Sequence, residues 1–438
     1  MHRPRVMSAA LAALLSVASA APSAVGGFGI PELGVRRTAM ASIIGRPDDP
    51  SAIYHNPAGL VLQHGWQLYA SFGLSLLDAE FQLAPWQASD RLLGASAQDG
   101  YYPRVAPSRA FGVVPMLAVT AEVIPDRLVL GAAVYVGNAT GAAFDASAVT
   151  RYHLIDAYIV APQAVVAAAY RFSDAISLGA ALGVIELRIH ETHDVYPVIG
   201  GMDVSPQTGT RPELVLDGSG AAPTWMLAAF GRPHPRVTWG ATLTGRVDAT
   251  LSGPITLTYS DDAEVPGDRA AARQTTTQLL PWAVMAGANV DVAPNVELGG
   301  ELRYWLYRQY RDQHTVIVGN FPVAEIDTAK NYHDSWQVSG GVRVHDLPAA
   351  PGLELMAGTQ YDRSPAPPRS VTLDQPSFSH WGLHSGLRYQ LGRYRLGASY
   401  VHYWYAVPTI TDSITSPPTN LRGSGGNHIV TGSIEVRL

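Results

Sequence analysis

Strict alternation of apolar and polar residues is the dominant pattern of this chain. The stretch from Val237 to Ser252 alternates throughout. Successive side chains of a β-strand point to opposite faces of a sheet, so this stretch predicts a strand with one apolar and one polar face. Strands of soluble sandwiches are usually about 5 to 6 residues long, whereas membrane-crossing strands alternate over about ten, so the length favours a transmembrane strand. The apolar face carries Val237, Trp239, Ala241, Leu243, Val247, Ala249 and Leu251.

The same pattern predicts fourteen strands along the chain. An even number is typical of bacterial single-chain barrels. Tight turns alternate with long polar loops such as 196–222, 260–274, 363–378 and 407–426, which places both barrel ends on the periplasmic side. We therefore predict an all-β fold, a 14-stranded antiparallel transmembrane β-barrel. The predicted spans are 66–83, 109–123, 127–145, 160–172, 176–195, 223–231, 236–259, 275–292, 295–318, 333–345, 353–362, 379–391, 393–406 and 427–438.

The alternation also predicts which side chains face the lumen and which face lipid. Charged residues are costly in a packed core but inexpensive in a wet lumen. We therefore predict that Arg246, Arg303 and Arg388 point into the lumen. The residues predicted to face lipid are Trp239, Leu302 and Leu387, and those predicted to form an outer aromatic girdle are Trp282, Trp336, Trp381 and Trp404.

The N-terminus has the features of a secretory signal peptide. Arg3 and Arg5 precede an apolar run that ends in Ala18-Ser19-Ala20, which predicts cleavage after residue 20, with a buried helix as the alternative. The chain contains no cysteine, which excludes disulfides, thiol nucleophiles and cysteine-bound metals. Its formal net charge of −6 gives no indication of nucleic-acid binding.

Residues 21–65 do not alternate and are rich in Gly, Ala, Pro and Asp, which predicts a compact segment inside the lumen ahead of a barrel at 66–438. This segment contains Phe28 after two glycines, and the motif Asn56-Pro57-Ala58-Gly59. These motifs resemble the N-terminal hatch of the FadL-type outer-membrane transporters of long-chain fatty acids, a family that also includes importers of aromatic hydrocarbons. Later landmarks such as Asp334-Ser335-Trp336 extend the resemblance over nearly the whole chain.

The resemblance implies import of hydrophobic small molecules across the outer membrane, and long-chain fatty acids are the expected substrate. Capture at an outer apolar groove would precede passage to an inner pocket and sideways exit at the third strand, with movement of the hatch. In loop 196–222, Val198, Ile199 and Met202 are the expected groove residues, unless the loop packs on itself. The expected lateral opening is at Gly137 and Asn138, which interrupt the third strand; small lumen residues are the alternative.

A fatty-acid carboxylate is best held by an arginine, because the guanidinium fork matches its two oxygens. Arg246, Arg303 and Arg388 are therefore the candidate ligand-binding residues. The alternative is that each pairs with a lumen acid. The acids available on the same strands are Asp248, Glu297 and Glu301.

Several other functions are not expected from the sequence. His190 and His193 would point to opposite faces of a strand, so we predict no metal site and no cofactor. A nucleophile motif of the lipase type is absent from the sequence, so we do not expect an enzyme. The expected partners are the hydrophobic ligand, outer-membrane lipid and lipopolysaccharide, around a monomeric barrel. Import of aromatic hydrocarbons, or a structural or adhesive barrel without transport, are the alternative functions.

Overall fold

The computed structural model describes residues 29–30, 32–87, 89–108, 111–195, 198–199, 202–203, 212–258 and 269–438. The predicted signal peptide and Phe28 lie outside these residues. Within them, fourteen antiparallel strands form a closed ring, because each strand pairs with the next along the chain and the last pairs with the first. The predicted fold class and strand number are confirmed.

The strand boundaries differ from the predicted ones mainly at the long-loop ends. Four strands are interrupted and have two segments each, labelled a and b. The strands are β1 Trp66–Leu83, β2 Phe111–Ile124, β3 Leu128–Ala143, β4 Asp156–Ser173, β5 Ile176–Asp194, β6 Glu213–His234, β7a Val237–Thr244, β7b Val247–Thr258, β8a Arg269–Leu280, β8b Ala283–Ala293, β9a Val296–Trp305, β9b Asp312–Asn320, β10a Glu325–Ala329, β10b Ser335–Val344, β11 Leu353–Asp362, β12 His380–Leu391, β13 Tyr394–Tyr405 and β14 Leu421–Arg437.

Short helices lie before the barrel and in its loops. In the N-terminal segment, α1 is Val35–Met40, α2 is Ala52–His55, and a 3-10 helix spans Pro57–Leu62. Helix α1 contacts β10b to β14, while the 3-10 helix contacts β3 to β6 on the opposite wall, so the segment crosses the lumen. In the loops, α3 is Ser89–Leu93, and 3-10 helices span Tyr307–Gln309 and Pro368–Ser370. No helix in the described part of the chain is long and apolar enough to cross a membrane.

The outer and inner faces of the wall differ as expected near the short turns. In β1, Leu68, Phe72 and Leu76 are exposed on the outside, whereas Gln67 and Ser75 are buried on the inside. An apolar outer face and a polar inner face are what a barrel wall needs where it crosses hydrocarbon. This part of the wall is therefore the membrane-spanning half.

Toward the long loops, the outer face of the wall becomes polar and the inner face becomes apolar. In β1 the outer positions after Leu76 are Asp78 and Glu80, while Ala79 and Phe81 are buried inside. The strand has no register shift here, so only the residue types change. The wall therefore continues beyond the hydrocarbon into water, where a polar outer face is favourable, and its interior becomes apolar.

β5 has the same reversal. Leu182 and Val184 are exposed outside, whereas further along the strand Leu187 and Ile189 are buried inside. On the outer face of that second part, Glu186 and Arg188 form an ion pair of 2.8 Å. The apolar interior of the outer half is therefore found at both β1 and β5, whereas β8a has the buried polar residues Gln274, Thr276 and Gln278.

In β7 the reversal coincides with a break in the strand. The pairing of β6 with β7 passes through Met226 and Thr244 and resumes at Ser219 and Ser252, so β7 contains one residue more than β6 over this interval. An extra residue exchanges the two faces of a strand. As a result, the apolar residues from Val247 onward point inward and the polar ones point outward.

The prediction that Arg246 faces the lumen is therefore wrong. Arg246 lies in the break and is exposed on the outside, where it binds Asp248 at 2.6 Å and Gln309 at 2.6 Å. The sequence continues to alternate through this point, but the extra residue in β7 changes the register of the strand and exchanges its two faces. Arg303 and Arg388 are buried inside, and Leu302 and Leu387 are exposed outside, as predicted.

The exchange of faces in β7 can be tested with single cysteines, because the chain has none of its own. We expect Thr250→Cys to react rapidly with a hydrophilic maleimide on intact cells, since Thr250 is exposed above the membrane. Ala249→Cys, on the buried inner face, is the matched control and should react slowly. Faster labelling of Ala249→Cys than of Thr250→Cys would show that the register of β7 is uninterrupted.

Candidate transport site in the barrel interior

One side of the N-terminal segment is fixed to the wall by buried ion pairs. Arg388 of β12 is 2% exposed. Its Nη1 and Nη2 donate to the two oxygens of Asp48 at 2.9 and 2.8 Å, and its Nε donates to Glu354 at 2.8 Å. This paired geometry is the strongest that arginine makes with a carboxylate. Arg388 is therefore a structural residue whose donors are occupied.

The same network continues from the N-terminal segment into neighbouring strands. Arg36 lies 3.1 Å from Asp48 and 2.5 Å from Glu297 of β9a. Arg343 of β10b contacts both of these acids, at 2.9 and 3.0 Å. Burial by itself would raise the pKa of Asp48, but Arg36 and Arg388 lower it well below its usual range. Asp48 is therefore ionised and connects the segment to the wall.

The other side of the segment contacts the wall through backbone and small residues. Asn56 donates from Nδ2 to the carbonyls of Ile44 at 2.9 Å and Ala229 at 3.2 Å, and it accepts from the Ala58 amide. Gly179 of β5 lies directly against the backbone of Ala58, where a Cβ would overlap it. Arg171 of β4 also donates to the Val61 carbonyl at 2.6 Å. None of these contacts pairs two charges, so they are weaker than the ion network on the opposite side.

A gap in hydrogen-bonded pairing lies between β2 and β3. Gly137 is an extra residue that shifts the register of β3 against β4. Pairing of β2 with β3 reaches only Met116 and Tyr135, although β2 pairs with β1 as far as Phe111. Beyond Gly137, residues on both faces of β3 are buried, which indicates that the strand bends inward.

The N-terminal segment pairs with β3 at this point. The Ile30 amide donates to the Gly137 carbonyl at 2.9 Å, and Gly29 forms a β-bridge with Asn138. Tyr54 donates its hydroxyl to the Ile30 carbonyl and packs edge to face on Tyr135 at 5.1 Å. Residues 29–30 thus take the position of a missing strand partner for β3.

A cavity of about 110 Å³ lies between this bulge and the interrupted strands β7 and β8. Its walls are mainly aliphatic and aromatic, with few polar groups, which is typical of ligand pockets. Sequence reasoning did not identify most of these residues. They include Ile53, Tyr54, Tyr135, Asn138, Gln163, Val165, Ile185, Trp225, Met226, Val247, Leu280, Met285, Arg303, Trp305 and Tyr307.

Arg303 is the charged residue of this lining and is 1% exposed. Its Nε and Nη2 lie 2.9 and 2.8 Å from Glu301 Oε1. Arg37 of the N-terminal segment lies 3.2 Å from the same oxygen. The other oxygen of Glu301 accepts hydrogen bonds from the amides of Ile43 and Ile44. One carboxylate therefore serves two guanidinium groups.

A second acid, Glu32, lies in the N-terminal segment and accepts a hydrogen bond from Tyr403. Burial raises the pKa of Glu32, which favours its neutral form. Glu301 is the carboxylate in contact with both Arg37 and Arg303, while Asp362 is linked to Arg37 through Gln337. A carboxylate entering the cavity would find a partner there.

Residues 14–393 match the family of outer membrane protein transport proteins described as OMPP1/FadL/TodX. The chain belongs to this family. Its members are outer-membrane transporters of hydrophobic compounds in Gram-negative bacteria and are not enzymes. No curated protein matches the chain.

Solved structures of this FadL/TodX family have the same fold. A FadL homologue of Pseudomonas aeruginosa is 16% identical with a TM-score of 0.75, and the match covers 94% of this chain and 99% of that one. The toluene transporter TodX of Pseudomonas putida is 13% identical with a TM-score of 0.68 and equal coverage. The toluene transporter TbuX of Ralstonia pickettii is 14% identical with a TM-score of 0.63, again at 94% and 99% coverage.

Of the residues predicted to act in this FadL/TodX-family chain, only some lie together. Arg303 and Asn138 line the cavity, together with Ile53 and Tyr54, which precede the predicted motif at residues 56–59. Arg246 is outside and Arg388 is occupied. The backbones of Val198–Ile199 and Met202–Asp203 form a short hairpin; the side chains of Val198, Ile199 and Met202 lie outside the described part.

The fixed side of the N-terminal segment can be tested by Arg388→Gln. Removing one partner of a buried ion network leaves uncompensated charge, so we expect a loss of about 3–5 kcal/mol in the free energy of unfolding. Urea unfolding in detergent micelles measures it. Arg246→Gln removes an exposed pair and should cost less than about 1 kcal/mol. Equal losses for both variants would contradict a structural role for Arg388.

Proposed function

We propose that this transporter imports long-chain fatty acids, with the carboxylate held by Arg303 and the hydrocarbon chain against the apolar walls of the cavity. The proposal rests on one observation, which is that the guanidinium of Arg303 is buried at the cavity and shares its carboxylate partner. A buried guanidinium is costly unless it is paired, and Glu301 is shared with Arg37. A carboxylate ligand supplies the missing charge, whereas a pure hydrocarbon gains nothing from it.

The apolar interior of the outer half supports a route from the cell surface to this cavity. Ile185 and Val247 line the cavity. They also belong to a buried apolar cluster that continues toward the long loops through Leu187, Leu251 and Ile255. Each methylene removed from water contributes about 0.8 kcal/mol, so a long chain is drawn inward along such a surface. The groove at Val198, Ile199 and Met202 remains the proposed first contact.

The proposed exit is the gap between β2 and β3 beside Gly137 and Asn138. The cavity reaches Asn138 and Gly29, so displacement of residues 29–30 from β3 would open it sideways. The contacts of residues 52–62 with the wall include no ion pair in the described part of the chain, so that side of the hatch is the part that moves. Lateral release keeps the hydrocarbon chain out of water. Lipid and lipopolysaccharide surround a monomeric barrel in this proposal.

Import of aromatic hydrocarbons is the second candidate, because the cavity is small. Its volume of about 110 Å³ is below the ~150 Å³ of an engineered apolar cavity that binds benzene. This volume is closer to that of a single ring than to that of a long chain, which must extend beyond the cavity. The structural neighbours TodX and TbuX are described as toluene transporters.

Arg303→Gln separates the two candidates. A hydrogen bond to a charged group contributes about 1.5–3 kcal/mol, so we expect oleate affinity to fall by roughly 10- to 150-fold. Toluene affinity should be unchanged. Calorimetry on the purified barrel measures both, with Arg246→Gln as the matched exposed control. Binding of toluene in preference to oleate would favour the second candidate, and binding of neither would favour a structural barrel.

Gly137→Leu tests the exit. A Cβ at Gly137 would lie 3.0 Å from Gln163 and 3.1 Å from Tyr54, so a leucine must displace these side chains beside the gap. We expect uptake of labelled oleate by cells to fall several-fold, with oleate affinity retained. Gly432→Leu is the control, because nothing lies within 4 Å of a Cβ there. Unchanged uptake at equal barrel abundance would refute exit at this gap.

A further inference from the structure

The seam between β6 and β7 is unpaired over its middle. Paired positions end at Met226 with Thr244, followed by one backbone hydrogen bond from the Gly245 amide to the Trp225 carbonyl, and they resume only at Ser219 with Ser252, within a stretch that the structure describes completely. The two backbones approach again at Gly220, where a Cβ would overlap the Thr250 carbonyl. Irregular backbone in a barrel wall is tolerated where it lines a cavity or is covered by protein. The seam therefore requires a cavity or a cover beside it.

The cavity reaches this seam from the inside. Thr224 and Trp225 line it on the β6 edge, and Gly245 and Val247 line it on the β7 edge. On the outside, Ala221, Pro223, Arg246 and Asp248 are exposed. The wall is thus only one side chain thick at this point.

That side chain is Trp225. Its ring packs against Gly245 so closely that a Cβ on Gly245 would overlap it. Trp282 of the β8 break contacts the same ring edge to face, at 5.4 Å between centroids. Trp225 lines the cavity and is also partly exposed. A ring with one surface on each side of the wall closes the seam beyond the last backbone hydrogen bond, which the Gly245 amide donates to the Trp225 carbonyl at 3.1 Å.

The seam lies where the outer face changes from apolar to charged, which is the level of the membrane surface. Below it, the outer residue Leu227 is exposed and apolar; beside and above it, Arg246 and Asp248 are exposed and charged. An amphipathic molecule in the outer leaflet has its polar end at this height, because its chain lies in hydrocarbon and its charge in water. Such a molecule could approach the seam without first entering water.

We propose that the β6–β7 seam is a second opening of the wall, closed by Trp225, through which hydrophobic acids enter the cavity from the membrane surface. The nature of the ligand rests on the proposed function, whereas the opening rests on the register and packing alone. Entry here and release at the Gly137 gap would take the ligand across the barrel from one wall to the other.

Thiol labelling tests the opening without any ligand, since a single introduced cysteine is the only thiol in this chain. Val247→Cys reports on the seam, and Ile255→Cys, buried on the inner face of the outer half, reports on entry through the long-loop mouth. In reconstituted vesicles, a membrane-impermeant maleimide should label Val247→Cys about tenfold faster when Trp225→Ala removes the aromatic contact. Labelling of Ile255→Cys should be unchanged.

Two further variants control this experiment. Gly245→Ala displaces the Trp225 ring by overlap and should also accelerate labelling of Val247→Cys. Trp381→Ala removes another exposed tryptophan, which stacks on Trp404 at 4.9 Å, and should leave both rates unchanged. Equal Val247→Cys rates with and without Trp225, or an equal increase at Ile255→Cys, would overturn the proposal.

Association of a fluorescent fatty acid adds a functional measurement. We expect Trp225→Ala to raise the association rate several-fold, whereas Arg303→Gln should lower affinity with an unchanged Val247→Cys labelling rate. If no fatty acid binds, the proposed substrate is wrong, and the labelling rates still decide whether the opening exists. If fatty acid binds and all rates are independent of Trp225, the opening is wrong and the proposed function stands.

Discussion

The structure depends on one constraint: each part of the outer face must match the medium that it contacts. Within the membrane that medium is hydrocarbon, so the apolar side chains of Leu68 and Phe72 are exposed on the outer face there. Above it the medium is water, and the outer positions become charged, as at Asp78 and Glu186. Because neighbouring side chains of a strand point to opposite faces, the inner face is free to become apolar where the outer face becomes polar. The apolar interior that leads to the cavity follows from this exchange.

The cavity exists because several strands leave regular pairing at about the same height. Gly137 adds a residue to β3, Gly245 and Arg246 interrupt β7, and Pro281-Trp282 interrupts β8. Each irregularity removes ladder hydrogen bonds, which a membrane wall tolerates only where the backbone lines a cavity or is covered. Tryptophan and the N-terminal segment cover these positions, at Trp225 and at residues 29–30. The irregular positions are therefore also the positions at which the wall can open.

Charge is divided unevenly across the N-terminal segment. Around Asp48 the arginines and acids of segment and wall satisfy one another, which fixes that side. Around Glu301 two guanidinium groups share one carboxylate beside the cavity. Residues 52–62 contact β3 to β6 without an ion pair in the described part of the chain, so this side can move while the ion network holds the rest. One segment thus combines an anchor, a binding surface and a movable part.

The sequence by itself determined the strand number, the barrel and the inward direction of Arg303 and Arg388, because alternation with period two is a local property of a strand. It also indicated the irregularity at Gly137. Only the tertiary structure decided that Arg246 points outward, because the extra residue in β7 is defined by its pairing with β6. Pairing likewise decided that Arg388 is occupied by Asp48, a residue 340 positions away, and that Trp225 meets Gly245. These outcomes depend on which distant residues become neighbours, and a local pattern carries no information about that.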